Sequence, residues 1–174
     1  MNDERKITFK YHPNIYNDDI LINKEGICQC CGQKTNQYIE HIYSAEDLDC
    51  ICLECISNGS AAKKFDATFV SSAETVTDKE KRDELFCRTP GYLGWQDEYW
   101  LACCDDYCQY IGRVGMSELN EMENGEEILQ EYLIRDNAYS EDVVRDCIHK
   151  EGDMSGYLFK CLHCGKYHLW VDAN

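Results

Sequence analysis

The sequence has no long hydrophobic run. No segment approaches the roughly 18 consecutive apolar residues that a membrane-spanning helix needs. The charged start, residues 1–6, is not followed by the apolar stretch of a secretory signal peptide. We therefore expect a cytosolic protein. Because thiols stay reduced in the cytosol, clustered cysteines favour metal binding over disulfides.

Basic residues are also scarce. The chain has 17 lysines and arginines against 33 aspartates and glutamates, which gives a formal net charge of −16. A surface with this charge repels nucleic acid, so we expect no direct nucleic-acid partner. An acidic surface suits a basic protein partner, because the electric field of the surface would accelerate the approach of that partner. The alternative is that the acidity only keeps the protein soluble.

The sequence lacks the motifs of common catalytic sites. No serine, histidine and acid stand out as a hydrolase triad, and Gly91 and Gly94 do not form a phosphate-binding loop. His41, His149 and His168 are scattered singly, so we expect packed or surface histidines rather than metal ligands. Carboxylates are too abundant for a catalytic pair to be selected by pattern. We therefore predict no catalytic residue.

Cysteine is what the chain has in excess, with 13 residues in 174, most of them in close pairs. Two residues separate Cys28 from Cys31, and two separate Cys52 from Cys55. This spacing lets both sulfurs of a pair reach one tetrahedral ion, and two pairs complete a four-thiolate zinc site. Buried thiols of the core are the alternative. Cys30 lies within the first pair, so its side chain should point elsewhere.

A second zinc site is predicted from Cys104, Cys108, Cys161 and Cys164. The last two have the two-residue spacing again, but the first two are separated by three residues. Cys103 or His163 therefore remains an alternative ligand. Since thiolates fill every position, both predicted Zn2+ ions are structural and neither keeps an open position for catalysis.

The rest of the pattern predicts an α+β fold of zinc-ribbon-like knuckles, β-hairpins and several short helices. Alternating polar and apolar residues predict a strand over residues 6–11. Residues 157–161 and 167–171 predict a hairpin with a knuckle at its tip. Polar residues 70–83 predict a linker or mobile loop.

Two domain organisations are compatible with the length of the chain. The first is a single domain over residues 1–174. The second is a pair of zinc-centred halves, at about 1–70 and 84–174.

An aromatic segment follows the predicted linker. Thr89 before Pro90 predicts a helix that begins there and ends near Cys103. Side chains of this segment that could line a pocket are Arg88, Tyr92, Trp95, Gln96 and Trp100. The simpler alternative is that the aromatic face belongs to the core and that Arg88 pairs with a carboxylate.

Acidic residues concentrate near the C-terminus. Residues 116–155 contain twelve acidic and three basic residues, a net charge of −9. Helices are predicted over 117–135 and 140–148. The candidate partner-binding residues are Glu118, Glu121, Glu123, Glu126, Glu127 and Glu131. The alternative is a solvated face that contacts nothing.

In the order of these motifs the chain resembles the CbrC family of small bacterial proteins. The resemblance spans nearly the whole chain and rests on residues 28–32, 52–56, 58–66, 88–101, Cys104, Cys108 and 161–166. Cys103 departs from the family pattern, which can have a histidine there, so the resemblance leaves the last ligand of the second site open. It implies no agreed activity and no catalytic residues. It does imply tolerance of a bacterial toxin, since the namesake of the family is associated with tolerance of a DNase-type colicin.

We therefore predict a non-catalytic zinc-binding protein that confers tolerance or immunity to a bacterial toxin, a nuclease being one option, by binding a protein. Immunity proteins of nuclease toxins are often acidic because they cover a basic nucleic-acid site. Two alternatives remain. One is a hydrolase-like enzyme with a pocket near residues 88–100, and the other is a zinc-ribbon adaptor unrelated to toxins.

Overall fold

The computed structural model describes residues 6–136 and 138–174 and contains both helices and small sheets, as an α+β fold requires. None of the helices in these residues is long and apolar enough to cross a bilayer. The strands are β1 (Ile22–Ile27), β2 (Lys34–Ile39), β3 (Ile51–Cys52), β4 (Ser72–Ala73), β5 (Tyr99–Trp100), β6 (Ala102–Cys103), β7 (Asp106–Tyr107), β8 (Gln109–Val114), β9 (Met154–Lys160) and β10 (Tyr167–Ala173). The helices are α1 (Leu53–Ser57), α2 (Ser60–Phe65), α3 (Lys79–Arg88), α4 (Met116–Glu121), α5 (Gly125–Arg135) and α6 (Glu141–Cys147).

The first sheet pairs β1, β2 and β3 in that order, all antiparallel. The turn from β1 to β2 carries the first predicted knuckle, and β3 leads directly into α1. A buried cluster beneath this sheet includes Ile15, Ile39, Ile51, Ile56 and Phe69. The sheet thus positions both cysteine pairs of the first predicted site.

The second sheet is an antiparallel meander in the order β10, β9, β8. The predicted hairpin is present as β9 and β10, with Lys160 opposite Tyr167 at its knuckle end. One face of this sheet packs into an aromatic cluster around Tyr110 and Phe159. The other face packs on the acidic helices through a third cluster that includes Leu129. Whether these clusters form one domain or two halves stays a prediction.

The predicted strand over residues 6–11 is wrong. These residues belong to no strand: the N–H of Ile7 donates to the hydroxyl of Tyr16 at 2.8 Å, and the carbonyl of Tyr11 accepts from the N–H of Tyr110 in β8 at 2.8 Å. The alternation of polar and apolar residues in this segment does correspond to burial, because Phe9 and Tyr11 are buried while Lys10 is exposed. The alternating burial therefore arose from an irregular segment that lies on the core rather than from a strand of a sheet.

The predicted helix from Thr89 to Cys103 is also wrong. Helix α3 ends at Arg88, and the hydroxyl of Thr89 donates to the carbonyl oxygen of Glu84 at 2.8 Å, which closes that helix instead of beginning another. Residues 90–98 contain no helix or strand. Within this loop Gly91 packs so closely on Phe69 and Glu98 that a Cβ atom would overlap the Glu98 carboxylate.

The segment predicted as a linker, residues 70–83, is packed into the fold. Strand β4 pairs in parallel with β5, and Val76 is fully buried. Thr77 binds the Asp105 carboxylate through both its N–H and its hydroxyl, at 3.0 and 2.7 Å. The carboxylate of Asp78 then caps α3 by accepting from the second and third N–H groups of its first turn.

The acidic region forms three helices where two were predicted. The single helix expected over 117–135 is divided into α4 and α5 around residues 122–124. Gly125 lies in contact with the carbonyl of Leu119, and a Cβ atom there would overlap that oxygen. This close turn explains the break. Ser140 caps α6 through its hydroxyl, which accepts from the N–H of Val143.

Candidate metal centres

Four cysteines that the sequence paired lie together in the first half of the chain. The Sγ atoms of Cys28, Cys31, Cys52 and Cys55, here called the first group, are all within 4.8 Å of one another. Cys28 and Cys31 belong to the turn between β1 and β2, while Cys52 ends β3 and Cys55 lies in α1. The structure thus brings together the four residues predicted for the first site.

The turn at Cys28 has the hydrogen bonds of a metal-binding knuckle. The N–H of Gly32 donates to the carbonyl of Cys28 at 2.7 Å, and Gly32 has a φ of 74°, a left-handed conformation that favours glycine. The N–H of Cys52 donates to the Cys28 sulfur at 3.3 Å. Although burial opposes the effect, such backbone donors lower the pKa of the Cys28 thiol to about 7. The turn therefore favours a thiolate.

A second group of four cysteines lies at the end of the other sheet. It consists of Cys103, Cys104, Cys161 and Cys164, again with all Sγ atoms within 4.8 Å. Its knuckle repeats the first, since the N–H of Gly165 donates to the carbonyl of Cys161 and Gly165 has a φ of 72°. Burial opposes it, but the N–H groups of Cys164 and His163 lower the pKa of the Cys161 thiol to about 6.

The second group contains Cys103 where we predicted Cys108. Cys104 and Asp105 both have positive φ values, 56° and 53°, and form the two-residue turn between β6 and β7. This turn carries the sulfurs of Cys103 and Cys104 to the same place, 3.7 Å apart. Cys108 lies beyond the turn, is fully buried in the aromatic cluster, and its carbonyl accepts from the indole of Trp100.

The geometry of both groups fits zinc. Zn–S bonds of about 2.3 Å in a tetrahedron place the sulfurs about 3.8 Å apart. The measured separations are 4.0 Å for Cys31 and Cys52, and 3.8 Å for Cys103 and Cys164. Four thiols without any other donor are also the ligand set that structural zinc prefers. Each group could therefore hold one ion.

His163 lies in the second knuckle but does not point at the sulfurs. Its Nε2 atom is 2.9 Å from the carboxylate of Asp106, which is almost fully buried and also accepts from Tyr11 and Lys10. Burial opposes ionisation, but these donors lower the pKa of Asp106 to about 2. A buried carboxylate thus joins the second knuckle to residues 10 and 11, and sequence reasoning did not identify it.

The five residues predicted as a pocket do not line one cavity. Tyr92 and Trp100 are fully buried, and the Tyr92 ring stacks on Tyr110 at 4.4 Å. Arg88 pairs with Glu84 at 2.8 Å, as the simpler alternative proposed. Trp95 is 42% exposed. Gln96 is held by the last strand, its N–H donating to Asp172 and its side chain to Ala173.

An open groove of about 1290 Å³ lies beside the first group. Its lining includes Cys31, Cys52, Cys55 and Ser60, together with polar residues of the hairpin formed by β1 and β2. Of these cysteines only Cys31 is exposed, whereas Cys52 and Cys55 are buried at the base of the groove. The cavity beside the second group is smaller, about 420 Å³, and is lined by Cys103 and Cys104.

The six candidate glutamates of the acidic region have different environments. Glu118 accepts from the N–H of Gly115 and so caps α4. Glu126 pairs with Arg145, and Glu131 lies near Arg135 and His168. The remaining three are exposed and make no ion pair with any of the described residues: Glu121, Glu123 and Glu127.

A buried acid of the loop before β5 was not predicted at all. Glu98 is 1% exposed and accepts from the hydroxyl of Tyr43 at 2.5 Å and from the N–H of Ser71 at 3.3 Å. His41 approaches the same cluster, with Nε2 2.8 Å from the Tyr43 hydroxyl. The second carboxylate oxygen of Glu98 has no hydrogen-bond partner in the described residues. Burial raises the pKa of Glu98.

We expect Glu98→Gln to change how stability depends on pH. Since its pKa is raised in the folded state, Glu98 binds its proton more tightly in the folded protein than in the unfolded chain. Wild-type stability therefore falls as pH rises from the ordinary value of 4.5 through the raised pKa. Glutamine cannot ionise, so the stability of the variant relative to wild type should increase over that range.

Urea denaturation of both proteins between pH 5 and 8, with zinc present, would measure this difference. Effects of pH on the cysteine groups are common to both proteins and cancel. A difference in the free energy of unfolding that stays constant with pH would show that Glu98 titrates normally.

The comparisons with known proteins agree with one another. The model of an uncharacterised protein family, UPF0167, matches residues 7–173. UPF0167 proteins of Mycobacterium bovis and Mycobacterium tuberculosis are each 35% identical over 173 residues, covering 94% of this chain and 91% of theirs. A UPF0167 protein of Pseudomonas aeruginosa is 32% identical over 171 residues, covering 94% of this chain and 95% of its own. No solved structure is significantly similar.

Proposed function

Since this chain belongs to the UPF0167 family, which is the CbrC family of the resemblance described above, we propose its function from the residues that its structure brings together. The proposal is a non-catalytic protein in which two zinc ions hold the fold and an acidic surface binds a basic protein. The family resemblance suggests that this partner is a bacterial toxin, and a nuclease toxin has the complementary charge.

The observation that carries the metal part is the presence of two separate four-cysteine groups. Each is built from a knuckle whose backbone N–H groups face sulfur, and neither includes a histidine or carboxylate. Bound Zn2+ would offset part of the thiolate charge and link the two cysteine pairs of each group. With four protein ligands an ion has no position for water or substrate, which favours a structural role.

The binding part rests on charge that the fold leaves unpaired. Glu121, Glu123 and Glu127 project from the α4–α5 region, where residues 116–155 carry a net charge of −9. Of the six candidate glutamates, those that cap a helix or lie beside an arginine are already satisfied, which leaves these three for a basic partner. Charge at the rim of an interface accelerates association more than it strengthens the complex.

The test is to reverse these three charges. The variant with Glu121→Lys, Glu123→Lys and Glu127→Lys should keep its zinc content and stability, because exposed charges contribute little to folding. Cells that express it should lose protection against a DNase-type colicin that wild type confers. A matched control carries the same charge change at the exposed residues Glu46, Asp47 and Asp49, and should still protect.

Two results would count against the proposal. Full protection by the α4–α5 variant would remove these glutamates from the mechanism. Failure of the wild-type chain to protect would reject the toxin as the partner, while the zinc content of the same protein would still decide the metal part.

A further inference from the structure

We infer that the groove beside the first group binds an extended, acidic peptide segment of a partner protein, which adds a strand to the free edge of β2. The inference goes beyond the proposed function, because it assigns a second binding surface that shares no residue with the glutamates of the α4–α5 region. It requires neither a toxin nor the acidic helices.

Strand β2 has an edge that the first sheet leaves partly unpaired. β3 pairs with β2 only at Tyr38 and Ile39, because the chain enters α1 directly after Cys52. Residues 34–37 of β2 pair with β1 on one side, and no strand of the described part of the chain pairs with them on the other. An unpaired strand edge is a template for a strand from another molecule.

Two backbone groups of this part of β2 are bonded by a side chain of the same strand. The N–H of Gln37 donates to the hydroxyl of Thr35 at 3.2 Å, and that hydroxyl donates to the carbonyl oxygen of Gln37 at 2.7 Å. In a complete sheet such groups bond the neighbouring strand. The Thr35 hydroxyl therefore takes the place of a missing strand, and a bound peptide would replace its two hydrogen bonds.

The groove offers room for a strand beside β2. It has a volume of about 1290 Å³, and five consecutive residues line it, from Gln33 to Gln37. The lining continues through Cys52, Leu53 and Glu54, where the chain leaves the sheet for α1. The unpaired part of β2 and the point where β3 ends thus border the same groove.

The charge of the groove favours an acidic ligand. Three lysines and two glutamates line it, whereas acidic residues outnumber basic ones by 33 to 17 in the whole chain. Lys34 pairs with Glu25 at 3.3 Å, and both side chains are largely exposed. Carboxylates of a peptide beside β2 would pair with the lysines, as oppositely charged residues on neighbouring strands do. In this mode of recognition main-chain hydrogen bonds provide affinity and side chains provide specificity.

The test uses the purified, zinc-loaded chain and a short fluorescein-labelled peptide of alternating valine and glutamate. Fluorescence anisotropy should show saturable binding of this peptide, and binding of a peptide of alternating valine and lysine should be at least about fivefold weaker. Amide hydrogen exchange at residues 34–37 should slow when the glutamate peptide is bound, because an added strand protects the edge.

Two substitutions test the edge and the charge separately. Thr35→Val removes the hydroxyl that competes for the Gln37 backbone and should tighten peptide binding about fivefold. A purely structural role of Thr35 would not produce such a gain. Lys34→Glu should weaken binding about fivefold. Lys150→Glu makes the same charge change at an exposed lysine outside the groove and should bind the peptide as wild type does.

Absence of saturable binding of the glutamate peptide would overturn the inference, as would equal binding of the two peptides or unchanged binding by Thr35→Val. Sedimentation of the unlabelled chain tests another occupant. Self-association that Lys34→Glu abolishes would show that a second copy of the chain fills the groove, which would also overturn the inference. Failure of the toxin-protection experiment would not affect these results, since the two surfaces share no residue.

Discussion

The purified chain should carry two zinc ions, and removing them should unfold it. Binding of a structural zinc contributes on the order of 10–16 kcal/mol in small zinc-dependent folds, which exceeds the total stability of most domains. Elemental analysis after native purification should therefore give close to two ions per chain. Circular dichroism during titration with a strong chelator should report loss of structure together with loss of metal.

Single substitutions should assign the ligands. Cys55→Ser and Cys164→Ser should each remove one ion and much of the stability, because a knuckle without metal leaves its buried N–H groups unsatisfied. Comparison of the variants Cys103→Ser and Cys108→Ser decides which cysteine is a ligand in the second group. Cys103→Ser should lose one ion, and Cys108→Ser should keep both.

Other results would contradict the assignment. Metal content near zero, with all thiols freely titratable, would reject both metal sites. Loss of an ion in Cys108→Ser together with two ions in Cys103→Ser would restore the ligand set predicted from spacing.

Trp100→Ala should be among the most destabilising substitutions in the chain. Trp100 is fully buried, its indole N–H donates to the carbonyl of Cys108 at 2.8 Å, and its ring lies 5.6–5.7 Å from those of Tyr92 and Phe159. Truncation leaves a large cavity and an unpaired carbonyl, at a cost of about 3–5 kcal/mol. Urea denaturation would measure the loss.

Trp95→Ala is the matched control, since the same side chain is removed at a site that is 42% exposed. Its effect on the free energy of unfolding should be about 1 kcal/mol or less. Equal effects at the two positions would mean that Trp95 is buried in solution and that the loop over residues 90–98 is folded differently.

The local parts of the metal centres could be predicted from the sequence. The spacing of Cys28 and Cys31, and of Cys161 and Cys164, encodes a tight turn with glycine directly after it, and the structure has that turn twice. The β9–β10 hairpin was equally predictable, because the strands flank such a turn. In these cases the chemistry and the backbone geometry are set by residues that are adjacent in the chain.

The parts that failed depend on contacts between distant segments. Thr89 and Pro90 are a good start for a helix in isolation, but Gly91 packs closely on Phe69 and Glu98, and residues 90–98 form a loop instead. Cys103 became a group member through a two-residue turn at Cys104 and Asp105, and Asp105 is held by Thr77. The sequence signal for this turn was a pair of adjacent cysteines followed by an aspartate, a residue that tolerates positive φ. The spacing of the cysteines alone did not reveal the turn.

The two metal centres also differ in how far apart along the chain their halves lie. The first group closes a short loop, between Cys31 and Cys52, whereas the second encloses the whole segment from Cys104 to Cys161. Longer loops cost more entropy to close and form later. During synthesis the first ion can therefore bind while the rest of the chain is still emerging from the ribosome. The second could be captured only after α4, α5 and α6 have been made, so the second metal centre has to wait until the acidic helices have been synthesised.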